Sequence, residues 1–207
     1  MANSEALLLI DLQNDFCPGG ALAVPAGDAV ISVANQLIDR FDLVVATQDW
    51  HPLDHSSFAV NHPAHKVGEI IDLEGHSQIL WPVHCVQNTP GADFHPDLDI
   101  RRIHQIFHKG TDSEVDSYSG FFDNRRRRST GLAEFLESKR VDRLVILGLA
   151  TDYCVKFSVL DALELGFAVG IVREGCRGVE LSSGDIDQAW KEMADAGASW
   201  VTEEELR

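Results

Sequence analysis

Positive charge is scarce in this chain. Seventeen lysines and arginines stand against 33 aspartates and glutamates, a net charge of −16 at pH 7. A surface of that sign repels phosphate backbones, so no nucleic-acid partner is expected. One basic run, Arg125 to Arg128, breaks the pattern. Nothing else basic lies near it in sequence, and it reads as a solvated loop rather than a phosphate patch. Long apolar runs are missing as well. None approaches the roughly 20 residues that span a bilayer, so no membrane partner is expected. Met1 to Glu5 and the following Ala6-Leu-Leu-Leu-Ile10 lack the basic start, extended apolar stretch and small-residue cleavage site of a secretion signal, and the expectation is a cytoplasmic protein. The cysteines, Cys17, Cys85, Cys154 and Cys176, show no C-x-x-C and no regular spacing, which argues against a disulfide framework. By default each is a small buried hydrophobe. Repeats, low-complexity tracts and linkers are absent too. A length of 207 residues suits one domain, 1–207, with a single core.

What the chain does contain is short apolar runs alternating with amphipathic stretches. Leu7 to Ile10, Leu43 to Ala46, Leu144 to Leu147 and Ala168 to Val172 are nearly all apolar, Ile103 to His108 is rich in Ile and Phe, and Ser199 to Thr202 is a short last candidate. Runs of this kind suit strands buried on both faces, hence a parallel sheet. Between them, Asp28 to Phe41, Thr130 to Lys139, Asp152 to Leu165 and Asp185 to Ala196 carry apolar residues near helical period, with Gly166 and Gly197 placed to stop the last two. The alternation predicts an α/β doubly wound fold: a mainly parallel six-stranded sheet with helices on both faces. Trp50 to Arg102, with its Pro, Gly and His residues, reads as long loops over the sheet.

Ligands of such a sheet bind beyond the carboxyl ends of its strands, so the residues that follow each run matter most. Asp11 follows the first, Thr47-Gln-Asp49-Trp-His51 the second, Lys109 the third, and Gly148-Leu-Ala-Thr-Asp-Tyr-Cys154 the fourth. Cys154 falls in the first turn of a helix with Thr151 or Asp152 as N-cap. There the helix dipole and a nearby Lys109 would favour a thiolate, and backbone N–H groups could hold an oxyanion. Asp11 would need a partner where it stands. It could pair with Lys109, carry a proton for Cys154, or do both. Asp49 and His51 point the same way from an extended segment and form a normal ligand pair for Zn²⁺ or another divalent first-row ion. His55 and His84 stand close enough to be considered with them. His62, His65, His76, His95 and His104 read as ordinary loop residues.

These stretches, taken together, carry a resemblance. Asp11-Leu-Gln-Asn-Asp-Phe16-Cys-Pro-Gly-Gly20, Gln48-Asp-Trp-His51-Pro, Trp81-Pro-Val-His84-Cys-Val-Gln87, Phe107-His-Lys109-Gly, the Asp-Ser-Tyr118-Ser-Gly-Phe-Phe-Asp segment, Gly148 to Val155 and the Gly175-Cys176-Arg177-Gly178 turn resemble the nicotinamidases (pyrazinamidases) of the isochorismatase-like superfamily. The match runs from about Leu7 to Trp200. It implies a Rossmann-like, isochorismatase-like fold. It implies a catalytic triad of Asp11, Lys109 and Cys154, with Ala150 preceded by a cis peptide and lending its N–H to an oxyanion hole. Metal ligands would be Asp49, His51 and His84, with His55 a second-tier candidate. Zn²⁺ is the first choice of ion, ahead of Fe²⁺ or Mn²⁺. Phe16, Trp81 and Tyr118 would wall a pyridine ring. The activity implied is hydrolysis of nicotinamide to nicotinate and ammonia through a cysteine thioester, in NAD salvage, with pyrazinamide also accepted. Alternatives are a related small-amide hydrolase of the same superfamily and a non-catalytic nicotinamide-binding protein. A homo-oligomer is left open. The metal set separates this chain from the isochorismatases and carbamoyl amidases of that superfamily, which generally lack it.

Overall fold

The structure is a computed structural model that describes residues 4–202 and 204–206. Its centre is a six-stranded sheet built from β1 (Ser4–Ile10), β2 (Val44–Asp49), β5 (Gln105–Lys109), β6 (Val141–Leu149), β7 (Ala168–Arg177) and β8 (Ser199–Val201). The spatial order is β5-β2-β1-β6-β7-β8, and every pair is parallel. The apolar runs form these strands because helices cover both faces of the sheet: Ala6 through Ile10 are wholly buried. Each leucine among them contributes about 1.5–3 kcal/mol by leaving water. The first helix, α1 (Ala29–Ile38), turns Val30, Ile31, Ala34, Leu37 and Ile38 inward. After it come α2 (Leu132–Ser138), α3 (Lys156–Glu164) and α4 (Asp185–Asp195). The last of these buries Ala189, Trp190 and Met193, with Trp190 edge-on to Trp200 of β8 at 5.1 Å.

Strand order reverses between β1 and β6, with β2 and β5 on one side and β7 and β8 on the other. That reversal opens a crevice at the strands' carboxyl ends. At this point β6 lies very close to β1: a Cβ on Gly148 would sit 2.2 Å from the carbonyl oxygen of Ile10, so no other residue fits.

Two expectations need correction. Trp50 to Arg102 is not all loop, because it holds a two-stranded antiparallel hairpin of β3 (Ile70–Leu73) and β4 (His76–Ile79) around Glu74-Gly75. Its strands are short and largely exposed, so they lack the apolar run by which buried strands are found. The helix expected from Asp152 opens instead as a five-residue π-turn, Thr151–Val155, in which the Val155 N–H reaches back to the Ala150 carbonyl at 3.0 Å. Neither Thr151 nor Asp152 caps it. The Asp152 carboxylate accepts the backbone N–H of Val179 at 2.9 Å and of Glu180 at 2.7 Å instead. The arginine run is a loop as expected. Arg125, Arg126 and Arg128 pair with Glu74, Asp161, Glu164 and Asp112.

Candidate active site

The crevice gathers side chains from four strand ends. Asp11 directly follows β1, Asp49 ends β2, Lys109 ends β5, and the π-turn after β6 supplies Cys154. All four are buried, Asp11 at 0% exposure and Lys109 at 2%. Lys109 Nζ lies 2.9 Å from Asp11 Oδ2, contacts Asp49 Oδ1, and donates to the Ser117 carbonyl at 3.1 Å and towards Cys154 Sγ at 3.4 Å. Thr47 donates its hydroxyl to Asp11 Oδ1 at 2.6 Å. Asp11 Oδ2 has the lysine charge beside it but no donor aligned on it for a hydrogen bond. Oxygens of Asp11 and Asp49 and the Cys154 sulfur all lie within 4.8 Å of one another.

Such a cluster survives burial only because its charges compensate. Burial works against the Lys109 ammonium, yet Asp11 and Asp49 hold its pKa well above the ordinary lysine value. Burial also acts to raise Asp49, but Lys109 and His51 outweigh it and keep this carboxylate well below the usual range. Asp11 goes the other way. Burial raises it, Lys109 offsets only part of that, and the Asp49 charge adds to the rise. The two acids therefore divide their roles, Asp49 permanently charged and Asp11 able to take a proton. For Cys154 the expected thiolate needs correction. Burial pushes this thiol well above the ordinary cysteine value; Lys109 pulls it down, but Asp11 and Asp49 push it up again. The resting sulfur carries its proton, with a carboxylate close enough to receive it.

On the other side of Asp49 stand two imidazoles. Asp49 Oδ2 is 3.6 Å from His51 Nε2 and 3.7 Å from His84 Nε2. Each ring's far nitrogen faces a carbonyl, His51 Nδ1 that of Gly110 at 2.9 Å and His84 Nδ1 that of Pro82 at 2.8 Å. A carbonyl only accepts, so both Nδ1 atoms carry the hydrogen and both neutral rings turn a lone pair on the carboxylate. Three electron-pair donors thus converge on one point, a donor set that fits a divalent cation. Burial disfavours a charged His51, but Asp49 outweighs it and raises the His51 pKa. Gln13 fixes the carboxylate's backbone, donating to the Asp49 carbonyl and accepting its N–H, both at 2.8 Å.

Between the thiol and the histidines lies a narrow pocket walled largely by aromatic side chains. Phe16, Trp81 and Tyr118 line it as expected, and Ala150 lies on its wall next to Cys154, after a cis Leu149–Ala150 peptide. Trp81 donates its indole N–H to the Tyr118 hydroxyl at 3.1 Å. Leu22, Tyr153, Val179 and Asp116 also line the pocket. Tyr153 stands edge-on to Trp81 at 4.9 Å.

Comparison with known proteins now bears directly on this geometry. Residues 5–205 match the model of the isochorismatase domain. The chain belongs to the isochorismatase family. Among isochorismatase-family relatives, it is 53% identical to the nicotinamidase of Escherichia coli over 204 residues, 96% of this chain and 94% of that one. A solved nicotinamidase/pyrazinamidase of Acinetobacter baumanii superposes with a TM-score of 0.96 at 42% identity and 100% of both chains. The pyrazinamidase of Pyrococcus horikoshii, solved in complex with zinc, superposes with a TM-score of 0.79 at 39% identity, over 96% of this chain and 99% of that one.

The structure thus brings every expected site residue to one crevice. Sequence reasoning missed four supporting groups: Gln13, Thr47, Asp116 and Tyr153. Gln13 stands within the Asp11-to-Gly20 motif and Tyr153 next to the nucleophile, so adjacency was a signal for those two. Asp116 opens the Asp-Ser-Tyr118 motif, two residues before a pocket-wall tyrosine, so the motif was a signal for it as well. His55 is buried beside His51, ring centroids 4.3 Å apart. Among the loop histidines, His62 bonds the Ser56 carbonyl, His65 pairs with Glu69, and His104 accepts the Val44 N–H.

Proposed function

We propose that this chain is an amidohydrolase that converts nicotinamide to nicotinate and ammonia, with Cys154 as nucleophile. The observation that carries the reading is the buried contact of Lys109 with Asp11 at 2.9 Å and with Cys154 at 3.4 Å, at the floor of an aromatic pocket. A binding protein has no use for an acid, a cation and a thiol so arranged. Because the thiol rests protonated, attack and deprotonation go together. Cys154 Sγ bonds to the carboxamide carbon as its proton passes to Asp11 Oδ2. The carbonyl oxygen takes the electron pair and is held by the backbone N–H groups of Ala150 and Cys154. Asp11 then gives the proton to the departing nitrogen, the carbonyl re-forms, and ammonia leaves a thioester. Water attacks that carbon, Asp11 takes a water proton, and the sulfur leaves and regains it as nicotinate forms. Lys109 keeps its charge throughout and holds both partners within reach.

The ring would lie between Phe16, Trp81, Tyr118 and Tyr153. Asp49, His51 and His84 would hold one divalent ion, Zn²⁺ first and Fe²⁺ or Mn²⁺ next. When bound, that ion supplies a positive centre that orients and polarises the pyridine ring. The zinc complex of the Pyrococcus horikoshii pyrazinamidase supports a metal at this crevice, and the fold's likeness to pyrazinamidases supports pyrazinamide as a second substrate. Consumption of nicotinamide fits NAD salvage in the cytoplasm. Among the described residues no helix is long and apolar enough to cross a membrane.

The test is ammonia release from purified protein with nicotinamide, run beside Cys154→Ala. Release by the wild type alone is the expected result. Release by both proteins overturns the nucleophile. Release by neither, from reduced and metal-loaded protein, overturns the substrate and directs attention to other small amides.

A further inference from the structure

His55 is the one histidine at the crevice whose place the proposed reaction does not explain. It is wholly buried, at 0% exposure. Its Nδ1 is 2.7 Å from the Ser57 hydroxyl and 3.2 Å from the Ser57 backbone N–H. A backbone N–H only donates, so Nδ1 must present a lone pair, and the ring's hydrogen must be on Nε2. This is the opposite tautomer to His51 and His84, whose Nδ1 atoms face carbonyls. The Nε2–H of His55 is buried with no acceptor within hydrogen-bond reach, an expensive position for a donor unless something comes to meet it. Across the gap lies buried Asp116. Atoms of His51, His55 and Asp116 come within 4.8 Å of one another, yet no hydrogen bond reaches His55 Nε2, an arrangement suited to an intervening oxygen. The Asp116 oxygens already accept from the Ser117 N–H and the Gln78 amide at 2.8 and 2.9 Å. A carboxylate has lone pairs left for one further hydrogen.

We propose that His55 is a hydrogen-bond donor to the metal pocket and not a metal ligand, its Nε2–H holding the oxygen of a water that donates in turn to Asp116. The inference rests on the reading of Asp49, His51 and His84 as the ligand set. It makes His55 a positioning residue: it fixes solvent beside the ion and leaves three protein ligands, so that the remaining coordination stays open to substrate.

The decisive measurement is NMR of the zinc-loaded wild type with ¹⁵N-labelled histidine. The expected spectrum shows His55 Nε2 still bonded to its proton, while His51 and His84 Nε2 take the shift of ligating nitrogens. Loss of the His55 Nε2 proton on adding zinc overturns the proposal alone. A spectrum in which zinc moves no histidine overturns it together with the ligand set. Competition with a chromophoric chelator gives an independent check: His55→Gln, which keeps an amide donor, should hold zinc within about threefold of wild type, whereas His84→Gln should lose at least about a hundredfold. Equal losses would make His55 a ligand. In Co²⁺-substituted protein, the pH midpoint of the visible bands should rise in His55→Ala and return in His55→Gln. An unmoved midpoint in His55→Ala removes the donor role.

Discussion

Gly110 joins the two halves of the site, since it follows Lys109 and its carbonyl holds His51. Its φ is +64°, and a Cβ added there would lie 2.3 Å from His51 Cε1 and 2.6 Å from Nδ1. An ordinary carbon contact is near 3.5 Å, so the imidazole in Gly110→Ala must retreat by about 1 Å. The left-handed backbone alone costs an alanine about 1–2 kcal/mol. With the displacement of a buried ring added, total destabilisation should reach about 2–3 kcal/mol, a fall of about 1 M in the urea midpoint. The larger effect is on the metal. His51 Nε2 leaves the convergence with Asp49 and His84, and loss of second-shell support of this kind costs about 10–100-fold in affinity. Zinc competition with a chromophoric chelator, on protein that a urea curve shows to be folded, reads this directly. A folded Gly110→Ala with wild-type zinc affinity would refute the claim that this backbone carbonyl aims His51 at the ion.

Other outcomes follow from the same geometry. In Lys109→Met the alkylation of Cys154 by iodoacetamide should shift to still higher pH than in the wild type, because the one nearby charge that lowers the thiol pKa is gone; an unchanged profile would deny Lys109 its place beside the sulfur. Burial foremost lowers the His55 pKa from 6.5 to about 4. Between those values the unfolded chain binds a proton that the folded one refuses, so this contribution to stability is full above pH 6.5 and falls with pH, by about 3 kcal/mol at most. The difference between wild type and His55→Gln in urea midpoints at pH 7 and pH 4.5 isolates it, and parallel curves would count against it. Asp152→Asn, which cannot accept both loop N–H groups, should lose about 1–3 kcal/mol in urea unfolding and raise KM more than it lowers kcat. Asp49→Ala should bind less than a tenth of the wild-type zinc in elemental analysis after dialysis; full occupancy would break the ligand set.

The sheet was legible because its strands are buried on both faces, which leaves apolar runs such as Leu7–Ile10 and Leu144–Leu147 with no polar alternation to mislead. Its strand ends then located Asp11, Asp49, Lys109 and Cys154 by position. The hairpin of β3 and β4 escaped because strands with exposed faces look like loop. The π-turn escaped because its pattern of residues is that of an ordinary helix start; what differs is a hydrogen bond one residue longer, and Asp152 is drawn away by the 179–180 backbone. The protonated state of Cys154 could not be read either. It depends on how completely Asp11 and Asp49 are enclosed with the sulfur, and sequence spacing says nothing of enclosure.

The two bonds from Asp152 to the backbone of Val179 and Glu180 fasten one wall of the pocket to the turn that carries the nucleophile. A short carboxylate and two amide hydrogens tie the wall to the turn, and they hold its backbone, not the side chain at 179. A chain built this way can exchange Val179 for a smaller or larger residue and so change which rings it admits, while the reacting atoms keep their places. Change in substrate breadth and conservation of chemistry are assigned to neighbouring residues with different duties, and Asp152 is the joint between them.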